Sequence, residues 1–310
     1  MRHQDVPHPG KEIIASSALI SNGMDTHQYR SLQTILVCFF LFIFAIGNLI
    51  VWKNIWQGSS FLIVFFDVGQ GDSIFMKSPW GHTMLIDGGP DAQVEEKLAG
   101  YLLPWEKHID LVVLTHPDKD HIFGLIGALK RFSVNTVLWT GVKRKTTGYA
   151  AWEARLAEEK KAGADVVLAR VPQKIFWTHN QTQYLEVLSP AKDYAGKVLD
   201  MSNESGIVMR LAMPNHAVLL TSDIPKSTEL ELVTGKVSLA ADILKIAHHG
   251  SKNSSAPEFL QAVHPNIAVI SSGADNSYGH PHQETLAKLE QYGIQIKRTD
   301  REGDIRFYLR

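Results

Sequence analysis

Six residues, His116-Pro117-Asp118-Lys119-Asp120-His121, follow directly on the apolar run 111–115 (LVVLT) and precede an apolar-periodic stretch at 122–130. The run reads as a buried strand and the stretch as a helix. Four metal-competent side chains therefore emerge from one strand-to-helix loop. No other feature constrains the chain as strongly, because imidazoles and carboxylates gathered at a strand end are costly to enclose unless they are paired or coordinated. Alternation turns His116 and Asp118 to one side and leaves Asp120 and His121 at the entry to the helix, in reach of a second centre. A solvated loop would need only Asp120, as a helix cap.

A metal pair needs further ligands, and two later segments supply them after apolar strands: Leu219-Leu220-Thr221-Ser222-Asp223 and Lys245-Ile246-Ala247-His248-His249-Gly250-Ser251. A carboxylate at a strand end can bridge two cations, and an imidazole on a glycine turn can complete the second pocket. An aspartate at a strand end is more often a turn residue, but beside the first motif the balance reverses. Two glycine turns, carrying Asp67 and Asp72 and then Asp87, offer acids that either orient the histidines or only shape the turns.

The first sixty residues are of another kind. Residues 35–52 (ILVCFFLFIFAIGNLIVW) carry no charge, and at 1.5 Å per residue they span about 27 Å, close to the hydrocarbon thickness of a bilayer. Trp52 and Trp56 around Lys53, and Tyr29 with Arg30, suit the two interfaces. The run begins far from Met1 and no small-x-small cleavage site follows it, so an uncleaved single-pass signal anchor at 31–56 is expected, after a polar tail at 1–30. Arg2 and Lys11 add positive charge on the N-terminal side, which places the large domain, 57–310, outside the cytoplasm.

Of the 310 residues 45% are hydrophobic and 20% charged, enough to bury a core, and the net charge of −1 excludes a strongly basic surface for polyanions. Any polyanion must be held by a local patch or by metal ions. Lys143-Arg144-Lys145 is the one dense basic run of the domain, a solvated loop or a patch for a nucleic-acid backbone. The single cysteine, Cys38, excludes an internal disulfide framework and a cysteine-based zinc site. Strands are expected near 61–67, 73–77, 83–87, 111–115, 134–139, 166–169, 176–177, 184–188, 207–213, 217–221, 243–246, 267–271, 294–297 and 304–308, with helices at 122–130, 149–162, 257–262 and 283–292. Strand-rich blocks interrupted by helices make an α/β (α+β) fold of sheets covered by helices on their outer faces.

The set DVGQGDS (67–73), LIDGG (85–89), LTHPDKDH (114–121), LLTSD (219–223), AHHGSKNSS (247–255), YGHP (278–281) and KRTDREGDI (297–305) resembles, in order and spacing, the C-terminal metallo-β-lactamase-fold domain of ComEC-type DNA-uptake proteins. The resemblance covers residues 60–310. It implies an αββα sandwich with a dinuclear metal site at one edge and a hydrolase, a phosphodiesterase or nuclease. The family's channel domain is not expected in a chain with one apolar span. Carried over residue by residue, His116 and Asp118 hold one metal, Asp120 and His121 the other, Asp223 bridges, and His249 joins the second site. Asp118 stands where the wider superfamily has histidine, which makes the site oxygen-rich and shifts preference from zinc towards manganese or magnesium. No histidine precedes Ser205 to serve as a third-motif ligand; Asp200 and Asn203 lie nearest.

On this reading two cations lower the pKa of a shared water to give hydroxide and neutralise phosphate oxygens. Asp120 orients the hydroxide, while His248, His280, Ser251 and Lys252 bind phosphate or protonate the leaving oxygen. The expected function is membrane-anchored, metal-dependent cleavage of DNA. Two others compete: hydrolysis of a small or cell-envelope phosphoester, and a non-catalytic DNA-binding accessory to a separate channel protein.

Overall fold

The computed structural model of the protein describes residues 26–58, 60–177, 181–235 and 237–310; most of the polar tail expected at 1–30 lies outside them. The chain divides into two compact units, with the boundary between Asn54 and Ile55. The first is dominated by α1 (Thr26–Gly58), within which Arg30–Lys53 is long and apolar enough to cross a membrane, with a mean hydropathy of 2.7 and its side chains exposed. Two of its polar residues close on the helix itself: Thr34 Oγ1 donates to the Arg30 carbonyl and Asn48 Nδ2 to that of Phe44. Such internal satisfaction is what an apolar surround demands.

The second unit begins with β1 (Phe61–Phe65), β2 (Ile74–Lys77), β3 (Thr83–Ile86), α2 (Gln93–Ala99), β4 (His108–Leu114), α3 (Lys119–Arg131), β5 (Ser133–Trp139), α4 (Thr147–Ala162) and β6 (Asp165–Leu168). It continues through β7 (Gln173–Phe176), β8 (Tyr184–Ser189), β9 (Val208–Ala212), β10 (Ala217–Leu220), α5 (Lys226–Thr234), β11 (Ile243–Lys245), α6 (Pro257–Val263), β12 (Ile267–Ile270), α7 (Gln283–Gln291), β13 (Gln295–Arg298), α8 (Thr299–Glu302) and β14 (Ile305–Leu309). The strands form two seven-stranded sheets, in the orders β14-β1-β2-β3-β4-β5-β6 and β13-β12-β11-β10-β9-β8-β7. Strands β3 to β6 run parallel, as do β10 to β13.

Alternation along the strands divides their apolar residues between two faces. Phe61, Ile63, Phe65, Met76, Leu185, Met209 and Val218 meet between the sheets; Val64, Phe75, Leu85 and Val112 face Val94 and Leu98 of α2, Leu125 of α3 and Trp152 of α4; Leu219, Leu244 and Ala268 face Leu232, Phe259 and Leu289 of α5, α6 and α7. The result is the expected four-layer αββα sandwich. Every expected strand and helix has a counterpart, and α2, α5 and α8 are additional. They are short, and the inward face of α5 buries Thr228 and Glu229 beside Leu232. A polar inward face leaves no apolar periodicity to read.

Candidate metal centre

Ligands in α/β sheets gather outside the carboxyl ends of parallel strands, and here both parallel runs end at one edge. Asp87 follows β3, Thr115 to Asp118 follow β4, Thr221 to Asp223 follow β10, His248 and His249 follow β11, and Ser271 follows β12. The two sheets are tied there by Ser222 Oγ, which donates to Thr115 Oγ1 at 2.8 Å. The loop after β3 crosses α3 at van der Waals limits: a Cβ on Gly124 would lie 1.9 Å from the Gly88 carbonyl oxygen. Only glycine permits that approach, which seats the start of α3, and with it Asp120 and His121, at the edge.

Three buried imidazoles converge, His116, His121 and His249, each with an Nε2 that lacks a hydrogen-bond partner. Their other nitrogens are fixed. His121 Nδ1 donates to Asp87 Oδ2 at 2.8 Å, and His249 Nδ1 donates to the Ser271 carbonyl at 2.9 Å. For His116 the tautomer follows by counting protons: Thr115 Oγ1 gives its proton to Asp87 at 2.6 Å and Ser222 Oγ gives its own to Thr115. Nδ1 of His116, at 3.1 and 3.2 Å from those hydroxyls, is left as the donor. All three rings thus turn Nε2 inward, the atom by which imidazole binds a metal once it has given up its proton.

Carboxylates complete the pocket. His249 Nε2 lies 3.1 Å from Asp223 Oδ2 and 3.3 Å from Asp120 Oδ2, and His121 Nε2 lies 3.5 Å from Asp223 Oδ2. One donor atom from each of Asp120, His121, Asp223 and His249 falls within 4.8 Å of the others. Asp120 is the one partly open to solvent. The charge balance of this pocket is negative: burial pulls His121 and His249 down, yet Asp87, Asp223 and Asp120 outweigh it for His121 and raise it well above the usual range, and Asp223 with Asp120 lifts His249 to about 10. For Asp223, His249 and His121 outweigh burial and hold it well below the carboxylate range. A pocket that holds protons this firmly has donors for a cation, and orphaned Nε2 atoms beside oxygen ligands fit a divalent metal.

The His116 ring lies against that of His121, centroids 4.1 Å apart, but the second pair of the motif is less complete. His116 Nε2 is 3.7 Å from Asp118 Oδ2, while Asp118 Oδ1 accepts from Ser202 Oγ at 2.5 Å and pairs with Arg144 Nη2 at 3.3 Å. Asp118 is the N-cap residue of α3, but its side chain caps nothing. Asp223 turns Oδ1 to Lys245 Nζ at 3.4 Å. That lysine is fully buried, donates to the Ser222 carbonyl at 3.0 Å and also pairs with Asp72.

Around the pocket, His248 and His249 both adopt left-handed backbone conformations, φ 52° and 54°. Conformations that cost about 1–3 kcal/mol in non-glycine residues here send His249 inward and leave His248 half-buried beside His280, ring centroids 5.6 Å apart. Burial, with His249 and His248 adding to it, pushes His280 down to about 4. Ser251 is buried and its Oγ accepts from the Asn253 amide at 3.3 Å. Lys252 is exposed, and no hydrogen bond or ion pair among the described residues joins it to the pocket.

Of the glycine-turn acids, Asp87 and Asp72 reach the centre, whereas Asp67 accepts from its own turn at Gly69, 3.2 Å away. Within the basic run Lys143 pairs with Glu153 at 3.8 Å and Arg144 with Asp118 at 3.3 Å, while Lys145 is exposed. Ser202 is a site residue that the sequence motifs do not single out, and Arg144 and Lys245 lie within quoted runs without being read as site residues. Lys245 carries one signal, a lysine in an otherwise apolar strand.

Comparison with known proteins agrees with this geometry. The sequence profile described as the metallo-beta-lactamase superfamily matches residues 66–274. The chain is 32% identical over 264 residues to ComE operon protein 3 of Bacillus subtilis (strain 168), covering 78% of this chain and 32% of that protein. It is 29% identical over 252 residues to competence protein ComA of Neisseria gonorrhoeae, covering 80% and 32%. The chain thus spans about a third of the length of these relatives, which are of the ComEC type that the seven motifs resemble. Among solved structures, the metallo hydrolase Igni18 of the archaeon Ignicoccus hospitalis shares the fold, with a TM-score of 0.50 at 14% identity, covering 80% of this chain and 100% of that one. An αββα sandwich that brings the histidines and aspartates of HPDKDH, TSD and AHHG to one sheet edge, under a profile match spanning most of that sandwich, places the chain in the metallo-β-lactamase superfamily of hydrolases.

Proposed function

We propose that the protein is a membrane-anchored, metal-dependent hydrolase of phosphodiesters, with DNA as the substrate that its competence-operon relatives favour. The observation that carries the reading is the convergence of unpartnered Nε2 atoms of His121 and His249 with Asp120 and Asp223 at the strand ends. These four would hold a divalent cation, manganese, magnesium or zinc, while His116 and Asp118 face a second, less complete half-site. A bound cation supplies a lowered pKa for water and neutralises charge building on phosphate oxygens. Residues 31–56 anchor the chain and 57–310 form the hydrolase domain, on the outer side of the membrane, beside a separate channel protein.

The chain's own groups divide the remaining work. Asp120, the solvent-facing member of the set, orients the attacking water. His248 and His280 stand at the mouth, and His280, held neutral at pH 7, donates a hydrogen bond to the leaving oxygen. Ser251 and Lys252, on the turn after His249, line the approach for the phosphate.

The test uses the full chain in detergent with manganese, on single- and double-stranded DNA beside bis(p-nitrophenyl) phosphate. Cleavage of DNA that Asp120→Ala abolishes is the expected result. Turnover of the small ester alone would move the substrate to a small or envelope phosphoester. No turnover of either, or turnover unchanged in Asp120→Ala, would remove the hydrolase assignment.

A further inference from the structure

We infer that this chain binds one divalent cation tightly, in the Asp120–His121–Asp223–His249 pocket, and that Arg144 takes the place of a second cation at the His116–Asp118 half-site. The inference rests on the proposed cation role of that pocket and concerns its neighbour. The two halves are unequal. Four donors lie within 4.8 Å of one another in the first. In the second, His116 and Asp118 are 3.7 Å apart, and among the described residues no third acidic, histidine or cysteine donor completes a group with them.

What stands there instead is positive. Arg144 Nη2 lies 3.3 Å from Asp118 Oδ1, and its Nη1 donates to the Leu199 carbonyl at 3.2 Å and to that of Asp200. Two carbonyls and a carboxylate hold the guanidinium in one place, with 19% of the side chain exposed. Arginine keeps its charge at every accessible pH, so it cannot step aside by losing a proton. The segment just before Ser205, where a third-motif ligand belongs, delivers Ser202, whose hydroxyl donates to the same Asp118 oxygen. A donor and a fixed cation on Asp118 Oδ1 draw on the charge of the carboxylate whose Oδ2 faces His116, and the guanidinium opposes a metal ion there by repulsion. They also leave a positive group at the half-site, suited to a phosphate oxygen.

The experiment is manganese binding to the full chain in detergent, by calorimetry and electron paramagnetic resonance. The expected result is one tight equivalent with the six-line signal of an isolated ion. Two variants alter the half-site: Ser202→His adds an imidazole, and Arg144→Gln removes the charge. Each is expected to tighten the second equivalent about tenfold or more, the range by which groups around a ligand alter metal affinity. Should Ser202→His not fold, Arg144→Gln decides alone. Two equivalents of similar affinity in the unaltered chain, an exchange-coupled spectrum, or no change of second-site affinity in the folded variants would overturn the inference while leaving the metallohydrolase reading intact. Absence of any tight equivalent would overturn both.

Discussion

Lys245 Nζ lies 3.4 Å from Asp223 Oδ1 inside the protein, both side chains all but inaccessible to solvent. The ammonium also pairs with Asp72, and these carboxylates outweigh the effect of burial and raise its pKa. Breaking a buried pair by removing one partner costs about 3–5 kcal/mol, because the other charge is left uncompensated. Lys245→Met is therefore expected to lose about that much in urea unfolding of the metal-free protein, and less with manganese, which compensates Asp223. A metal-free loss below about 1 kcal/mol, the worth of a surface pair, would show that Lys245 is not the counter-ion.

Asp87 accepts from the Thr115 amide at 2.9 Å, the Thr115 hydroxyl at 2.6 Å and His121 Nδ1 at 2.8 Å. An asparagine side chain in its place would turn an NH₂ group towards at least one of these three donors. Asp87→Asn is expected to weaken manganese binding about 10- to 100-fold. Asp67→Asn serves as the comparison: its carboxylate accepts from Gly69 at 3.2 Å and from none of the site histidines, so affinity should not move. Equal effects of the two substitutions, measured by calorimetry, would sink the orienting role of Asp87.

What is legible in the sequence is what repeats locally. Strand-length apolar runs, and the clustering of His116, Asp118, Asp120 and His121 on one loop, follow from neighbours in the chain. Long-range pairing is less accessible. Ser202 and Arg144 meet Asp118 across separations of 84 and 26 residues, through a loop whose run of three bases looks solvated in isolation. The absence of a third-motif histidine is visible; that a guanidinium stands beside the gap depends on the path of the loops after β5 and β8. Helix α5 escapes for the opposite reason, since its buried Glu229 pairs with backbone and not with apolar neighbours.

Gly124 and Gly127 lie on the same helix and should answer oppositely to alanine. On helix propensity alone each change would gain about 1 kcal/mol. At Gly124 the new Cβ meets backbone, 1.9 Å from the Gly88 oxygen and 2.7 Å from that of Asp91, which cannot yield without moving the loop after β3. Gly124→Ala should then destabilise by about 1–3 kcal/mol or more and weaken metal binding through His121. At Gly127 the nearest atom, at 2.4 Å, is Glu95 Oε1, the end of a flexible side chain. Gly127→Ala is expected to be neutral or stabilising, and a shared sign in thermal unfolding would refute the crossing as the constraint.

Glu229 ties the turn after His249 to α5 by accepting from the amides of Ser255 at 2.8 Å and Ala256 at 2.7 Å. Burial raises its pKa above the usual 4.5, and the two amides, with Lys288 and Lys226, offset only part of that rise. A raised carboxyl pKa means that the folded chain keeps the proton to higher pH than the unfolded chain. Its contribution to stability is therefore complete below about pH 4.5 and is lost as pH rises through the folded value. Glu229→Gln cannot ionise, so the melting temperature of the unaltered protein minus that of the variant should be greatest near the acid end and shrink towards neutrality. A difference that grows with pH would mean that the amides favour the carboxylate more than burial opposes it, reversing the sign argued for this group.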